Sequence, residues 1–87
     1  MGHLLEFYGT ECPHCERMHK FVIRLEKEEG IKFESIEVWH NQENEKKLID
    51  LDKNRCGGVP FYYNTKTKEF ICGEVGYEEF KNWAMNK

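Results

Sequence analysis

Apolar side chains follow two different spacings in the first part of the chain. The compact apolar run Leu4–Tyr8, stopped by Gly9, predicts a buried β-strand. After Pro13, which suits the first turn of a helix because it lacks a backbone N–H, apolar side chains recur three, four and seven residues apart. Those positions are Met18, Phe21, Val22 and Leu25. The pattern predicts an amphipathic helix that continues to about Glu29 and ends at Gly30.

The rest of the chain alternates further short strands and helices. Residues 33–39 form the second predicted strand, and Asn41 is a suitable N-cap for a second helix. The apolar side of that helix is expected to consist of Leu48, Ile49 and Leu51. Residues 55–60 are predicted to form a loop, residues 61–63 and 70–72 a hairpin, and the last apolar residues a third helix. These last residues are Tyr77, Phe80, Trp83 and Ala84.

The order β-α-β-α-β-β-α predicts an α/β fold in which helices cover a small mixed sheet. A strand–helix–strand start implies a right-handed crossover and a parallel strand pair, and the final hairpin adds antiparallel strands. We therefore expect a four-stranded mixed sheet with three helices. Because 87 residues are fewer than a typical domain contains, we expect a single domain over residues 1–87.

Composition and charge narrow the classes of function. Aromatic residues make up 14% of the chain, which supplies enough rings to fill a small core. The net charge of −3, without a basic stripe, argues against nucleic acid as a partner. No apolar run approaches the ~20 residues of a membrane span, so we expect no membrane partner. The N-terminus, beginning Met1-Gly2, lacks the basic and apolar regions of a signal peptide, so we expect a cytoplasmic protein. We also expect the protein to act as a monomer.

Two cysteines flank a dipeptide where the first predicted strand joins the first helix, in the order Cys12-Pro13-His14-Cys15. Side chains three residues apart on a helix lie about 5–6 Å apart, within reach of a disulfide. Cys12 falls at the helix N-terminus, which stabilises a thiolate, so we expect Cys12 to be the nucleophile and the deeper, less accessible Cys15 the resolving thiol. A protonated His14 would stabilise the Cys12 thiolate further and make the disulfide a better oxidant, while Pro13 fixes the turn.

Two other interpretations of this motif remain open. One is a metal module, in which the pair is half of a zinc site or Cys12 holds zinc or an iron–sulfur cluster in a dimer. The second half of a zinc site would have to be Cys56 and Cys72, which lack the spacing typical of zinc modules. The other is a redox-inert binding domain. We prefer dithiol chemistry without a metal, because a CxxC beside a β-α-β pattern is a specific redox signal.

The chain resembles the thioredoxin superfamily in three stretches. Residues 5–15 are similar to the strand, turn and active site of thioredoxins and protein disulfide isomerases. Val59-Pro60, followed by Phe61, resembles the loop in which those proteins hold a cis-proline beside the CxxC. Gly73 matches a glycine that often flanks their site. The length and element order are similar to those of glutaredoxins and small glutaredoxin-like thioredoxins, which implies a minimal thioredoxin fold.

The resemblance also implies roles for residues outside the motif. Val59 and a cis-Pro60, with Gly73, would shape the groove in which a substrate strand docks through its backbone. Glu6 matches the buried carboxylate that helps to take the proton from the resolving thiol; the alternative is an outward-facing charge at a strand edge. The implied substrates are protein disulfides, and the implied electron donor is glutathione or a thioredoxin reductase, with no tightly bound cofactor. Glu11, an acid beside the nucleophile, would oppose the thiolate and repel the carboxylates of glutathione.

Two cysteines and a histidine lie outside these motifs. Cys56, four residues before Pro60, and Cys72, at the end of a strand, are expected to be buried, inert thiols. The alternatives are a third redox thiol near the site and a bridge between the two, which we do not expect in a reducing compartment. His19 is expected to be an exposed helix residue rather than a metal ligand.

Overall fold

The computed structural model describes residues 3–53 and 55–85, so the expectation about Met1 and Gly2 lies outside the described residues. Seven elements follow one another in the predicted order. They are β1 (Leu4–Tyr8), α1 (Pro13–Glu29), β2 (Phe33–Glu37), α2 (Gln42–Asp52), β3 (Phe61–Asn64), β4 (Phe70–Cys72) and α3 (Tyr77–Met85). The predicted α/β class with three helices is therefore confirmed.

The four strands form one mixed sheet in the order β2-β1-β3-β4. β1 is parallel to β2, while β3 is antiparallel to both β1 and β4. In this register Glu6 of β1 lies between Ser35 of β2 and Tyr62 of β3. Residues directly opposite each other point to the same face of a sheet, so these three side chains can meet there.

Helices cover both faces of the sheet. The first core cluster joins β1, β3 and β4 to α1 and α3, and consists of Leu4, Met18, Val22, Leu25, Tyr62, Ile71, Phe80, Trp83 and Ala84. The second lies on the α2 side and consists of Phe7, Ile36, Val38, Leu48 and Phe61. Because side chains alternate along a strand, Leu4 and Glu6 face α1, while Leu5 and Phe7 face α2.

The helix boundaries follow from the capping residues that the sequence indicated. Cys12 is the N-cap of α1 and Pro13 its first helical residue, and Gly30 ends it in the left-handed region at φ 67°. The side-chain oxygen of Asn41 accepts the backbone N–H of Asn44 at 3.1 Å and caps α2 as predicted. None of the described helices is both long enough and apolar enough to cross a bilayer.

Two details of the prediction are wrong. β2 ends at Glu37 rather than at residue 39, because the Glu37 carboxylate accepts the N–H groups of Trp39 and His40 at 3.1 and 2.8 Å and turns the chain away from the sheet. Ile49 is 55% exposed, whereas Asp52 is buried on the inner side of α2. Apolar spacing could not indicate this position, since a buried aspartate is stabilised by the backbone groups it binds.

Candidate active site

The turn between β1 and α1 places Cys12 and Cys15 at the start of the helix. The Cys12 N–H donates to the Gly9 carbonyl at 3.1 Å, and the Cys12 sulfur accepts the N–H of Cys15 at 3.3 Å. This sulfur therefore occupies the helix N-terminus, where backbone N–H groups stabilise negative charge. Both cysteines are free thiols, and they are 4% and 3% exposed. Exposure thus does not separate the two residues, contrary to our expectation of a less accessible Cys15.

The protonation of Cys15 does distinguish it. Burial raises the pKa of the Cys15 thiol to about 12; a hydrogen bond with Cys12 and the charges of Cys12 and Glu6 act in the same direction, whereas the Gly9 backbone opposes them. Cys15 is therefore a neutral thiol at neutral pH. It has to pass its proton to an acceptor before it can attack a sulfur atom.

Glu6 supplies a carboxylate on the face of β1 that α1 covers. Its side chain is fully buried, so the alternative of an outward-facing charge is wrong. Ser35 Oγ donates to Glu6 Oε1 at 2.8 Å, the Tyr62 hydroxyl donates to Oε2 at 3.4 Å, and His19 Nδ1 lies 3.0 Å from Oε1. Burial and the charge of Glu6 raise the pKa of Tyr62, which keeps its hydroxyl group protonated as a donor.

A cavity of about 310 Å³ is lined by both the Glu6 carboxylate and Cys15. Glu6, Cys15, His19 and Ser35 all contribute to its wall. The side chain of His19 is 48% exposed, so the imidazole links the buried carboxylate to solvent. His19 is an exposed helix residue as expected. Its contact with Glu6 was not predicted, although His19 is four residues after Cys15 and therefore shares its helix face.

His14 has a different environment from the predicted one. Its Nδ1 atom lies 2.7 Å from Oε1 of Glu74 and 2.8 Å from a terminal nitrogen of Arg17. Arg17 Nε donates to the same Glu74 oxygen at 2.8 Å. Hydrogen bonds from Arg17 and then from His14 lower the pKa of Glu74. The imidazole is thus held by a carboxylate rather than by the Cys12 sulfur, and Glu74 offsets the positive charge that we expected to act on that sulfur.

The loop before β3 contacts the residue that follows β4. The Val59–Pro60 peptide bond is cis, Pro60 is fully buried, and its carbonyl oxygen accepts the Gly73 N–H at 2.8 Å. Gly73 has a φ of 70°, a conformation that glycine adopts without steric cost. Val59 is half-buried, so it presents more surface to solvent than Pro60.

Cys56 and Cys72 are not the buried, inert thiols that we expected. They form a disulfide with a Cα–Cα distance of 5.4 Å, and Cys72 is exposed while Cys56 is half-buried. The pairing of Cys72 with Phe61 across the β3–β4 ladder brings the end of β4 next to the loop that carries Cys56. Across residues 3–53 and 55–85, no three His, Cys, Asp or Glu side chains are grouped as metal ligands.

Two contacts border the turn that precedes Cys12. The indole of Trp39 lies against the backbone of Gly9 so closely that a Cβ atom at this position would overlap the ring. His40 Nε2 lies 2.9 Å from a carboxylate oxygen of Glu11, and this hydrogen bond raises the pKa of His40. Glu11, the acid that precedes Cys12, thus has a basic partner in His40.

No protein-family model matches the chain, and no curated protein matches it at a significant level. Several solved structures do resemble it. A point mutant of the thioredoxin-like protein BC3987 has a TM-score of 0.71 at 15% identity, over 99% of this chain and 97% of its own. The glutaredoxin grx-1 of Archaeoglobus fulgidus has a TM-score of 0.69 at 23% identity, over 100% and 89%. Oxidised mitochondrial thioredoxin 3 of Saccharomyces cerevisiae has a TM-score of 0.65 at 14% identity, over 97% and 76%.

Sequence identities this low establish the fold and leave the activity to be argued from the site. The match extends over nearly the whole chain, and it includes the mixed sheet and the three helices predicted from the sequence. The chain therefore has the thioredoxin fold.

Proposed function

We propose that the protein is a thiol–disulfide oxidoreductase that exchanges the Cys12–Cys15 dithiol with disulfides of other proteins. One observation carries the proposal: the Cys12 sulfur, hydrogen-bonded at the start of α1, is followed one turn later by a protonated thiol that shares a cavity with a buried carboxylate. Such an arrangement provides a nucleophile, a resolving group and a proton acceptor. The likeness to a glutaredoxin and to a thioredoxin agrees with this chemistry.

The first step is the attack of Cys12 on a substrate disulfide. The Cys12 thiolate bonds to one substrate sulfur while the substrate S–S bond breaks, and the other sulfur leaves as a thiolate that takes a proton from water. The Cys15 N–H and the positive end of the α1 dipole stabilise the attacking thiolate. The product is a mixed disulfide between Cys12 and the substrate.

The second step needs the proton of Cys15 to leave. Glu6 accepts this proton across the shared cavity, and His19 then carries it from the carboxylate to solvent. The Cys15 thiolate attacks the Cys12 sulfur, the Cys12–Cys15 bond forms, and the second substrate sulfur leaves as a thiolate. The substrate disulfide gains two electrons and the protein dithiol loses two.

Substrate docking uses the loop before β3. The hydrogen bonds that fasten this loop among the described residues involve Cys56, Gly57 and Pro60 rather than Val59. An extended substrate segment can therefore pair with the Val59 backbone as an added strand, which reads the backbone of the substrate more than its side chains. Protein disulfides of different sequence are thus the proposed substrate class.

The oxidised protein has to regain two electrons from a thiol donor. In this proposal the donor is glutathione or a thioredoxin reductase, the protein acts as a monomer in the cytoplasm, and no tightly bound cofactor takes part. Disulfides in cytosolic proteins are usually transient, so the Cys56–Cys72 bridge would open and close there rather than persist.

Reduction of insulin by dithiothreitol tests the proposal. We expect the parent protein to accelerate precipitation of the insulin B chain and Cys12→Ser to fall to the background rate. Cys15→Ser should lose turnover but accumulate a mixed disulfide through Cys12, visible by mass spectrometry. Lys20→Gln, an exposed change on the same helix, is the matched control and should behave as the parent. A Cys12→Ser protein as active as the parent would contradict the proposal.

A further inference from the structure

A second pair of sulfurs lies beside the proposed docking loop. The Cys56–Cys72 disulfide joins the segment that leaves α2 to the end of β4. Only residues 57–59 separate Cys56 from Pro60, and Gly73 directly follows Cys72. The bridge thus holds the loop at the point where a substrate strand is proposed to pair.

The hydrogen bonds that hold the docking loop 57–59 lie at its two ends. The buried Asp52 carboxylate accepts the N–H groups of Cys56 and Gly57 at 2.6 and 2.8 Å. At the other end the Pro60 carbonyl accepts the N–H of Gly73, and the disulfide adds the third attachment. A Cβ atom at Gly57 or Gly58 would meet no atom within 4 Å, so packing does little to hold these two glycines, whereas Val59 packs against the core cluster on the α2 side.

The bridge is accessible at Cys72, and Cys56 lies on the opposite face of the sheet from Cys15. Cys72 is exposed, so a small thiol can reach its sulfur. Cys56 packs against the core cluster on the α2 side of the sheet. Cys15 belongs to α1, which covers the opposite face. Cys15 and Cys56 therefore lie on opposite faces of the sheet, and a thiol from solvent rather than Cys15 is the reductant that the geometry supports.

We propose that Cys56–Cys72 is a second redox site, reduced by small thiols, that sets the order of the docking loop 57–59. A thiolate attacks the exposed Cys72 sulfur, the S–S bond breaks, and Cys56 leaves as a thiolate that takes a proton. A second thiol releases Cys72 and forms a small-molecule disulfide, so two thiols supply the two electrons. The effect on substrate binding rests on the proposed function, whereas the redox change and the loop order do not.

Opening the bridge removes one of the three attachments of a segment that contains two glycines. A looser loop has to lose more conformational entropy when a substrate strand pairs with Val59. We therefore expect weaker docking with an unchanged chemical step. In kinetic terms KM for a protein disulfide should rise about threefold to tenfold, while kcat stays within about twofold.

The redox site is tested by equilibrating the native protein in glutathione buffers of graded ratio, followed by acid quenching, thiol alkylation and peptide mass spectrometry. We expect Cys56 and Cys72 to close and open reversibly in the folded chain, also when Cys12 and Cys15 are both replaced by serine. A pair that never links in the folded protein, or that opens only when the protein unfolds, overturns the proposal.

The loop order is tested by amide hydrogen exchange on the protein with Cys12→Ser and Cys15→Ser. The amides of Cys56 and Gly57, which donate to the Asp52 carboxylate, should exchange at least about tenfold faster after reduction of the bridge, whereas those of β1 and β3 should not change. Equal protection of the loop in both forms overturns the control of loop order. The exchange experiment keeps Cys56 and Cys72. Its result therefore remains decisive even if the protein with Cys56→Ser and Cys72→Ser folds poorly.

Single-turnover reduction of insulin completes the test, with Cys56→Ser and Cys72→Ser combined and compared with the parent whose bridge is closed. Dithiothreitol is left out, because it would open that bridge, and KM is taken as the insulin concentration that gives half of the maximal rate. The expected rise in KM supports the proposal, and an unchanged KM contradicts its effect on docking. If the parent itself does not reduce insulin, the proposed function fails, while alkylation and exchange still decide whether the second site exists.

Discussion

The Nδ1 atom of His19 lies 3.0 Å from Oε1 of the fully buried Glu6 carboxylate. Glu6 and Cys15 line the same cavity, and the imidazole is the partly exposed member of this group. In the proposed function, a proton that leaves Cys15 passes to Glu6 and then through His19 to solvent. Tyr62, Glu16 and Tyr8 are the other titratable groups facing this path.

Glu6→Gln should slow the resolving step about 100-fold, at the low end of the 10²–10⁴ in rate that loss of a positioned base typically costs. His19→Gln keeps a hydrogen-bonding group near Glu6 but cannot carry the proton, so we expect a smaller slowing of about threefold to tenfold. Rapid quenching of the mixed disulfide measures this step directly. The rate at which Cys12 reacts with iodoacetamide should change by less than about twofold in both variants.

Ser35→Ala is the matched control, because it removes one hydrogen bond to Glu6 and leaves the carboxylate and His19 in place. We expect its resolving step to stay within about threefold of the parent. If the Glu6 variant resolves the mixed disulfide as fast as the parent, the proton path described above does not operate.

The pKa of Cys15 predicts unequal alkylation of the two thiols. Because burial raises this pKa from 9.0 to about 12, the Cys15 thiolate is scarce at neutral pH. Iodoacetamide at pH 7 should label Cys12 in the reduced, folded protein well before Cys15, and Cys15 labelling should increase as the pH approaches 12. Peptide mass spectrometry identifies the labelled residue. Equal labelling of both cysteines at pH 7 would contradict the assignment of Cys15 as the protonated partner.

The same pKa predicts the pH dependence of stability in the dithiol form. A group whose pKa is higher in the folded protein binds its proton more tightly there, so its stabilisation is complete below pH 9.0 and is lost as the pH rises towards about 12. The free energy of unfolding of the reduced parent should therefore decrease more between pH 9 and 11 than that of reduced Cys15→Ser. Parallel pH profiles for the two proteins would show that Cys15 does not carry this effect.

Most of the fold could be predicted from the sequence because apolar spacing and capping residues determine it locally. Gly30 and Asn41 end and begin helices where their conformational and hydrogen-bonding properties indicate. His19 and Asp52 could not be placed in this way, since their partners are distant in sequence or are backbone groups. Likewise the Cys56–Cys72 bridge forms because the loop before β3 lies next to the end of β4, and residue spacing alone does not reveal this proximity.

Glu74 should influence the reduction potential of the first cysteine pair. Its carboxylate pairs with His14 and Arg17, so Glu74→Gln leaves more positive charge near the start of α1. Positive charge stabilises the thiolate and thus the reduced form, so the potential should become about 10–30 mV more positive. Equilibration with glutathione measures this shift. Glu78→Gln, an exposed acid in α3, is the control and should change the potential by less than about 5 mV. A potential that is unchanged or more negative in Glu74→Gln would show that His14 and Arg17 do not act on the site.

Gly9→Ala should lower the free energy of unfolding by about 1–3 kcal/mol, the usual cost of overpacking, because the added methyl group overlaps the Trp39 ring. In a double-mutant cycle Trp39→Ala should remove most of this cost, since the open space then accepts the methyl group. Denaturant unfolding provides the measurement. Gly58→Ala, where a Cβ atom has open space, is the control and should change stability by less than about 1 kcal/mol. If Gly9→Ala lowers the free energy of unfolding equally in the Trp39→Ala background, the cost arises from the backbone and not from the indole.

The most direct test measures whether Cys12 and Cys15 are thiols or a disulfide in the folded protein across a series of glutathione buffers. The protein carries Cys56→Ser and Cys72→Ser, and the two states are distinguished by alkylation and intact-mass measurement. We predict a loss of 2 Da on oxidation, its full reversal on reduction, and a single midpoint for the pair. A protein that stays fully alkylatable at both cysteines in every buffer while folded would contradict the account.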